Sequence, residues 1–253
     1  VIGLAGPSFF YGESGYGALK EGDYLVNIGS PVGLMLGYKS DGVYQVSDFD
    51  YDAATNKYTL KPGIAYNPND YPKPGYLKLV DVSGPDGKAD GLITSDDRTV
   101  IGDATPKHYG GITNSFSYKG FDLSIFLNWM YGNKIYNANK LVNSQTYLAY
   151  RNAYAYIKDR WTTIDGNGNK ITDPAQLAEV NKGKTIPSLE GSGRDLKFYD
   201  QMVEDGSFLR INNISLGYNL PKQLLSRARI SSCRLYFTAY NIHTFSSYGG
   251  YDP

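Results

Sequence analysis

The clearest alternation of apolar and polar side chains runs through residues 110–132, GGITNSFSYKGFDLSIFLNWMYG. Lys119 and Gly120 divide this stretch into two runs, which predicts a β-hairpin. In the second run every other position is apolar, so one face of the strand is continuously apolar. That face carries Phe121, Leu123, Ile125, Leu127, Trp129 and Tyr131. A soluble sandwich would bury such a face, and a membrane barrel would turn it to lipid.

Three further stretches predict strands. Residues 31–45, PVGLMLGYKSDGVYQ, predict a strand, a turn at KSDG and a second strand. Residues 208–220, FLRINNISLGYNL, predict a strand whose alternation slips near Asn212 and Asn213, and this slip indicates a β-bulge. Residues 232–245, SCRLYFTAYNIHTF, predict the last strand of the chain.

The segments between these strands are long. Residues 47–80 are polar, aromatic and rich in proline, which predicts a long ordered loop. Residues 133–207 lack a strand pattern, although 152–161 predict a short helix and DGNGNK at 165–170 predicts a tight turn. Because long irregular excursions are uncommon in compact domains, they are typical of functional loops.

Composition narrows the class of protein. The chain of 253 residues has 24 Tyr and 29 Gly but only two His, and its 25 basic and 25 acidic side chains balance. The absence of a basic run argues against nucleic-acid binding, and Cys233 is the only cysteine, which excludes a disulfide scaffold. No run approaches the roughly 20 apolar residues of a membrane helix. High Tyr and Gly contents are typical of β-rich binding proteins or of barrels with aromatic girdles.

A dense group of carboxylates and glycines lies at residues 81–97, DVSGPDGKADGLITSDD. On the template of a calcium loop, Asp90, Leu92, Thr94 and Asp97 occupy positions 5, 7, 9 and 12, with Gly91 at position 6. Asp81 and Ser83 occupy positions 1 and 3 only if GPDGKA is partly an insertion, and Asp86 is an alternative to Asp90. The predicted ligand set for a structural Ca²⁺ is therefore Asp81, Ser83, Asp90, Leu92, Thr94 and Asp97.

A second interpretation of the same stretch needs no metal. Asp side chains in turns commonly accept hydrogen bonds from nearby backbone N–H groups, which would make this a solvated acidic turn. No other combination of residues predicts chemistry. The two histidines lack a metal-binding partner at helical spacing, and no triad or carboxylate pair is apparent, so the sequence predicts no catalytic residues and no enzyme.

Four separated segments carry a family resemblance. They are residues 28–45, residues 97–137 (DRTVIGDATPKHYGGITNSFSYKGFDLSIFLNWMYGNKIYN), residues 203–221 (VEDGSFLRINNISLGYNLP) and residues 235–253 (LYFTAYNIHTFSSYGGYDP). In this order they resemble the C-terminal barrel of the SusC/RagA family of TonB-dependent outer-membrane transporters. The resemblance covers nearly the whole chain.

The resemblance implies a fold and a cellular setting. The expected fold is all-β, part of a large antiparallel transmembrane β-barrel with long extracellular loops, and incomplete in this chain. Residues 1–253 would be the C-terminal part of the barrel domain, without the plug domain and the last strand. The family also implies localisation in the bacterial outer membrane, contact with its lipid, and energy supplied by TonB through the missing plug region.

The resemblance further implies a function and partners. Members of the family import a glycan or an oligopeptide together with a SusD-type surface lipoprotein, and loops 47–109 and 133–207 are candidates for the surface that contacts it. Asp122, Arg234, Tyr236 and Tyr240 would either line the solute path or bond one another and the plug. Trp129, Tyr131 and Tyr136 would either form an aromatic girdle or be packed side chains. The Tyr-rich segments 65–76 and 147–156 would either stack on sugar rings or form loop cores. The alternative is a secreted calcium-dependent carbohydrate-binding β-sandwich.

Overall fold

A computed structural model describes residues 8–11, 24–27, 29–84, 86–145, 152–188, 198–227 and 229–253. Within these ranges the strands are, in chain order, β1 (Ser8–Tyr11), β2 (Tyr24–Asn27), β3 (Leu34–Gly37), β4 (Ser40–Val43), β5 (Phe49–Asp52), β6 (Lys57–Leu60), β7 (Leu77–Leu79), β8 (Thr99–Asp103), β9 (His108–Tyr118), β10 (Phe121–Tyr131), β11 (Lys134–Tyr136), β12 (Val203–Asp205), β13 (Phe208–Asn219) and β14 (Arg234–Ser246). The α-helices are α1 (Ala138–Gln145), α2 (Pro174–Val180) and α3 (Lys222–Arg227). Short 3₁₀ helices cover Val46–Asp48, Ser95–Asp97, Ala155–Asp159 and Asp200–Met202.

The described part of the chain is predominantly β, as the sequence predicts, and its long strands pair antiparallel. None of its helices combines the length and apolar character needed to cross a membrane. The chain divides into two compact units. Unit 1 comprises Val1–Asp103 and Tyr136–Val203, and unit 2 comprises Ala104–Ile135 and Glu204–Pro253.

Unit 2 contains a four-stranded sheet in the order β14-β13-β10-β9. The predicted hairpin is confirmed, because β9 and β10 pair in continuous register from Tyr118 opposite Phe121 to His108 opposite Tyr131. Lys119 and Gly120 both have positive φ, 46° and 89°. Two such residues form the turn type whose twist matches that of the flanking strands.

The predicted bulge on β13 is also confirmed. Phe126 and Leu127 are adjacent on β10, but they pair with Asn213 and Ile211, which leaves Asn212 as the extra residue. On the other side of β13, the pairing with β14 shifts at the same place, and Asn241 takes a positive φ of 49°. Because of these shifts, the apolar side chains of β13 and β14 lie on the same face of the sheet as those of β10 on both sides of the bulge.

Unit 1 consists of smaller sheets around two buried clusters. The sheets are β1-β2-β3-β8, β4-β7 and β5-β6. The first buried cluster contains Tyr38, Leu79, Ile93, Leu141, Tyr199 and Met202. The second contains Val43, Trp161, Ile171 and Leu177. Residues far apart in sequence therefore meet in both clusters, and the segments predicted as loops build them.

The two strands predicted in residues 31–45 are present as β3 and β4, but the turn predicted at KSDG is wrong, because Ser40–Val43 is β4 itself. β3 pairs with β2 and β8, whereas β4 pairs with β7, so the two strands do not pair with each other. The reason is a contact with a distant segment. The Tyr38 N–H donates to the carbonyl of Phe198 at 2.8 Å, and the Ser40 N–H and hydroxyl both donate to Oδ1 of Asp200. These bonds separate β3 from β4 where a turn is predicted.

The two predicted loops contain more regular structure than their sequences indicate. Residues 47–80 include the antiparallel hairpin of β5 and β6, in which Phe49 pairs with Leu60 and Asp52 with Lys57. Residues 133–207 include α1, α2, β11 and β12. The helix predicted in 152–161 is present as the 3₁₀ helix Ala155–Asp159. The turn predicted at 165–170 is confirmed by the Gly168 N–H, which donates to the carbonyl of Asp165 at 3.1 Å.

Candidate functional site

The apolar positions of the four long strands in unit 2 share one face of the sheet. Leu123 on β10 pairs with Phe116 on β9 and with Leu216 on β13, and Leu216 pairs with Phe237 on β14. Phe116 is 59% exposed and Phe237 is 70% exposed. This row of four large apolar side chains therefore crosses the whole sheet uncovered. Large exposed apolar patches mark surfaces that contact lipid or another protein.

Aromatic side chains lie at both ends of this face. At one end the Trp129 indole N–H donates to Nδ1 of His108 at 3.2 Å, and the ring of His108 stacks on that of Tyr131 at 5.0 Å. At the other end the rings of Phe121 and Tyr218 stack at 4.3 Å. Trp and Tyr combine an apolar ring with a polar group, so they suit a boundary between an apolar layer and water.

The length of the strands fits a membrane crossing. β9 and β10 have 11 residues each, β13 has 12 and β14 has 13, and about 9–11 residues suffice for a tilted transmembrane strand. From Phe121 to Tyr131 is roughly 34 Å along the strand. At a tilt of about 45° this length spans ~24 Å, close to the height of the apolar band of outer-membrane barrels.

The opposite face of the same sheet is polar. Asp122 on β10 and Arg234 on β14 form an ion pair that passes over β13 at Gly217. A Cβ at Gly217 would lie 2.6 Å from Oδ2 of Asp122 and 2.8 Å from Nη2 of Arg234, so a larger residue there would displace this pair. The Ser215 and Thr238 hydroxyls form a second cross-strand hydrogen bond at 2.9 Å.

The register also places Tyr236 and Tyr240 on this polar face, with Tyr236 opposite Gly217 and Tyr240 opposite Asn213. The four residues predicted for the solute path therefore lie on one face, and two of them are joined by the ion pair. Arg210, also on this face, donates to Oδ1 of Asp252 and to the hydroxyl of Thr244. A chain segment near Pro253 is thereby held against the sheet.

The predicted girdle residue Tyr136 does not belong to the sheet. Its ring packs on Phe198 at 4.0 Å and against the first buried cluster of unit 1. Of the two Tyr-rich segments, 65–76 contributes Tyr66 and Tyr71, whose rings meet edge to face at 5.8 Å. The segment 147–156 lies partly outside the described residues, and its described part includes Tyr154 stacked on Tyr156 at 5.9 Å.

The acidic stretch forms a loop closed by its own carboxylates. Asp97 is fully buried. Its Oδ1 accepts from the backbone N–H groups of Val82 and Ser83, and its Oδ2 accepts from that of Thr94. Asp81 and Asp90 likewise accept hydrogen bonds from backbone N–H groups, those of Gly91 at 2.6 Å and Leu92 at 2.9 Å.

This geometry corresponds to the metal-free interpretation, in which Asp side chains cap the backbone. Thr94 is the N-cap of the 3₁₀ helix Ser95–Asp97, and its hydroxyl accepts from the Asp96 N–H at 3.2 Å. In the described part of the chain, no group of three or more His, Cys, Asp or Glu side chains is arranged to hold a metal ion. The Ca²⁺ site at Asp81, Ser83, Asp90, Leu92, Thr94 and Asp97 stays a prediction.

Replacing Asp97 by Asn tests the two interpretations. The amide would leave a buried backbone N–H facing an NH₂ group, and an unsatisfied buried donor costs about 1–3 kcal/mol. We expect Asp97→Asn to increase hydrogen exchange across residues 81–97 equally with and without Ca²⁺ in the buffer. Asp96→Asn, which changes an exposed carboxylate outside the predicted ligand set, is the control with little effect. If the wild-type loop were protected from hydrogen exchange only when Ca²⁺ is present, that result would instead support the metal site.

The sequence predicts the sheet of unit 2 but not two other features of the structure. The ion pair over Gly217 depends on the pairing of three strands, and the sequence signal available for it was a glycine in an otherwise regular strand. The second feature is a cleft in unit 1 lined by Tyr58, Tyr71 and three lysines. Its lining comes from residues 56–76 and 163–177, which the sequence assigned to two separate loops.

An antiparallel sheet with one apolar face, aromatic ends and one polar face has the pattern expected for the wall of a membrane barrel, and comparison with known proteins agrees on the fold. The chain resembles a chain of the RagAB peptide importer in its "closed-closed" state, with a TM-score of 0.63 and 21% sequence identity. The match covers 98% of this chain and 22% of the importer chain. For the "open-open" state the TM-score is 0.64, at 20% identity. The fold is therefore that of part of a large antiparallel β-barrel.

Sequence comparison gives the family. The chain is 31% identical over 258 residues to TonB-dependent receptor P39 and 29% identical over 235 residues to TonB-dependent receptor P3, both of Formosa agariphila. It is 26% identical over 172 residues to TonB-dependent receptor SusC of Bacteroides thetaiotaomicron. No family model matches the chain.

These matches confirm the resemblance found in the sequence. The chain is related to the TonB-dependent receptors of the SusC/RagA type, whose matched members are named as receptors and transporters. Its matches cover 92% and 93% of this chain but only 23% and 20% of P39 and P3. The chain therefore spans about a fifth of the length of these relatives.

Proposed function

We propose that this chain is part of an outer-membrane transporter that imports a nutrient, a glycan or an oligopeptide, with energy supplied through TonB. The observation that carries the proposal is similarity to TonB-dependent receptors along nearly the whole chain. The four-stranded sheet supports it, because its exposed apolar face and its strand lengths suit a lipid layer.

In this function unit 2 supplies barrel wall. The apolar face of β9, β10, β13 and β14 contacts lipid, and the polar face with Asp122, Arg234, Tyr236 and Tyr240 contacts the solute path. β9 and β14 each have one neighbour within the described part of this sheet. Unpaired strand edges in lipid cost several kcal/mol for each lost hydrogen bond, so both edges pair with further strands of the barrel.

A SusD-type surface lipoprotein is the proposed partner, and segments 47–109 and 133–207 are the candidates for its contact surface. TonB would act through a plug domain in the intact protein. The secreted carbohydrate-binding sandwich is not favoured, since the proteins that match this chain are receptors and transporters.

Deletion of the gene tests the proposal. We expect the mutant to lose growth on one glycan or peptide mixture while growth on glucose is unchanged. The tagged intact protein should fractionate with the outer membrane, require detergent for extraction and co-purify a lipoprotein. Recovery of the protein in the soluble fraction, with normal growth of the mutant on every polymer tested, would refute the transporter.

A further inference from the structure

Unit 1 contains a cleft of about 340 Å³ whose rim carries three lysines, Lys57, Lys73 and Lys170. The lining also includes Tyr58, Tyr71 and Tyr76. None of the described lining residues is acidic. We propose that this cleft binds one or two sugar units of an acidic saccharide, which carries carboxylate or sulfate groups. The proposal rests on the proposed function, for which it names the class of substrate.

The three ammonium groups are available to a ligand. All three lysines are exposed. No salt bridge joins any of them to a carboxylate in the part of the chain that the structure describes. Like charges that converge on one concave surface repel each other, and an anion placed among them relieves that repulsion.

Two carboxylates close in sequence to the cleft residues, those of Asp52 and Asp173, accept hydrogen bonds within their own turns. Asp52, which pairs with Lys57 in the β5–β6 ladder, accepts from the Thr55 hydroxyl and from the Ala54 N–H, and these bonds lower the pKa of its carboxyl. Asp173 caps α2 by accepting from the N–H groups of Ala175 and Gln176. Both side chains are held in turns, and neither forms an ion pair with a lysine of the cleft in the part of the chain that the structure describes.

Two aromatic rings in the cleft have fixed orientations. The Tyr71 hydroxyl accepts from the Leu60 N–H at 2.9 Å, while the residue remains 48% exposed. The ring of Tyr58 is held by Tyr51 at 4.9 Å and by Phe49 at 6.1 Å. Burial raises the pKa of Tyr58, and Tyr51 and Asp173 raise it further, so its phenol stays neutral. Rigid half-exposed tyrosines provide apolar contact at little entropic cost, which suits the C–H face of a sugar ring.

The backbone around Lys73 is also preorganised. Lys73 lies between Pro72 and Pro74, both buried, and a residue before proline is confined to extended conformations. Below the cleft, Ile171 and Leu177 of the lining belong to the second buried cluster. The cleft is therefore built on a packed core, and ligand binding would require little ordering of the protein.

The size of the cleft favours a saccharide over a peptide. At about 340 Å³ it lies at the low end of ligand pockets, which suits one or two rings. A peptide carboxylate would use the lysines but would leave the tyrosine faces without a matched partner. Binding of an acidic peptide is therefore the competing result that the test must exclude.

The test is calorimetric titration of the intact, detergent-solubilised protein with four probes. They are trigalacturonate, its neutral methyl ester, a sulfated galactose disaccharide and triglutamate. We expect trigalacturonate or the sulfated disaccharide to bind at least about tenfold more tightly than the methyl ester, since three exposed ion pairs contribute up to about fivefold each. Comparison of these two acidic saccharides identifies which anionic group is preferred.

Variants locate the binding site. We expect Lys73→Ala and Lys170→Ala each to weaken binding of the preferred acidic probe by about two- to fivefold, and the salt dependence of binding to decrease. Lys182→Ala changes an exposed lysine of unit 1 outside the cleft and should leave the affinity unchanged. Surface substitutions of this kind rarely affect folding.

Several results would overturn the inference. These are the absence of binding by both acidic saccharides, equal binding of trigalacturonate and its methyl ester, tighter binding of triglutamate, or equal losses in Lys73→Ala and Lys182→Ala. The transporter proposal would survive each of them if the deletion mutant still loses growth on one polymer. Conversely, normal growth of that mutant would refute the transporter without altering the measured affinities of the cleft.

Discussion

Arginine in place of Ile125 is expected to prevent stable assembly of the protein in the outer membrane. Ile125 lies near the middle of β10 on the apolar face, where it pairs with Ile214 on β13. If that face contacts lipid, a charge near the bilayer midplane costs about 2–4 kcal/mol. The quantity to measure is the amount of folded protein in the outer-membrane fraction, with urea unfolding in lipid vesicles as a second readout.

The matched control is Ser124→Arg, one residue away on the same strand. Ser124 pairs with Ser115 and Ser215, so its side chain points to the polar face, where water and other charges accept a guanidinium. We expect this variant to assemble at close to the wild-type level. If Ile125→Arg assembled as well as Ser124→Arg, the apolar face would not contact lipid, and the membrane orientation of the sheet would be wrong.

Unit 2 could be predicted because its information is local. The hairpin of β9 and β10 is specified by the alternation of 11-residue strands and by two turn residues, Lys119 and Gly120. The bulge at Asn212 appears in the sequence as a break in that alternation. Once the register is set, the apolar face and the aromatic ends follow from counting alternate positions.

Unit 1 could not be predicted because distant segments determine it. The hydrogen bonds from Ser40 to Asp200 join residues 160 positions apart, and the two strands predicted in residues 31–45 belong to different sheets. No periodicity in residues 31–45 carries that information. The cleft has the same origin, since the segment with Lys73 and the segment with Lys170 meet only after the second buried cluster has formed.

Gly75 is the position where this packing is most sensitive, and Gly75→Ala is expected to have the second large effect. Gly75 has φ of 88°, and a Cβ there would lie 2.2 Å from Cδ1 of Trp161. Trp161 is almost fully buried in the second cluster and cannot move aside freely. The Gly75 backbone is fixed as well, because its N–H donates to the Tyr44 carbonyl and its own carbonyl accepts from Ser188.

Two costs therefore add in Gly75→Ala. A side chain in the left-handed region costs about 1–2 kcal/mol, and overpacking a core costs about 1–3 kcal/mol more. Gly63→Ala isolates the first cost, since Gly63 has φ of 83° but nothing within 4 Å of its Cβ position. Hydrogen exchange of peptides that contain Trp161 and Ile171 is the measurement, because it reports local opening within a larger protein.

We expect Gly75→Ala to accelerate exchange around Trp161 by more than a factor of ten, and Gly63→Ala to leave those peptides near the wild-type rate. Because Pro74 lines the cleft directly beside Gly75, the same variant should also weaken binding of the acidic saccharide probe. Equal exchange rates in the two alanine variants would show that Trp161 does not pack against Gly75. The floor of the cleft would then be less rigid than its contacts indicate, and the backbone around Lys73 would not be preorganised for ligand binding.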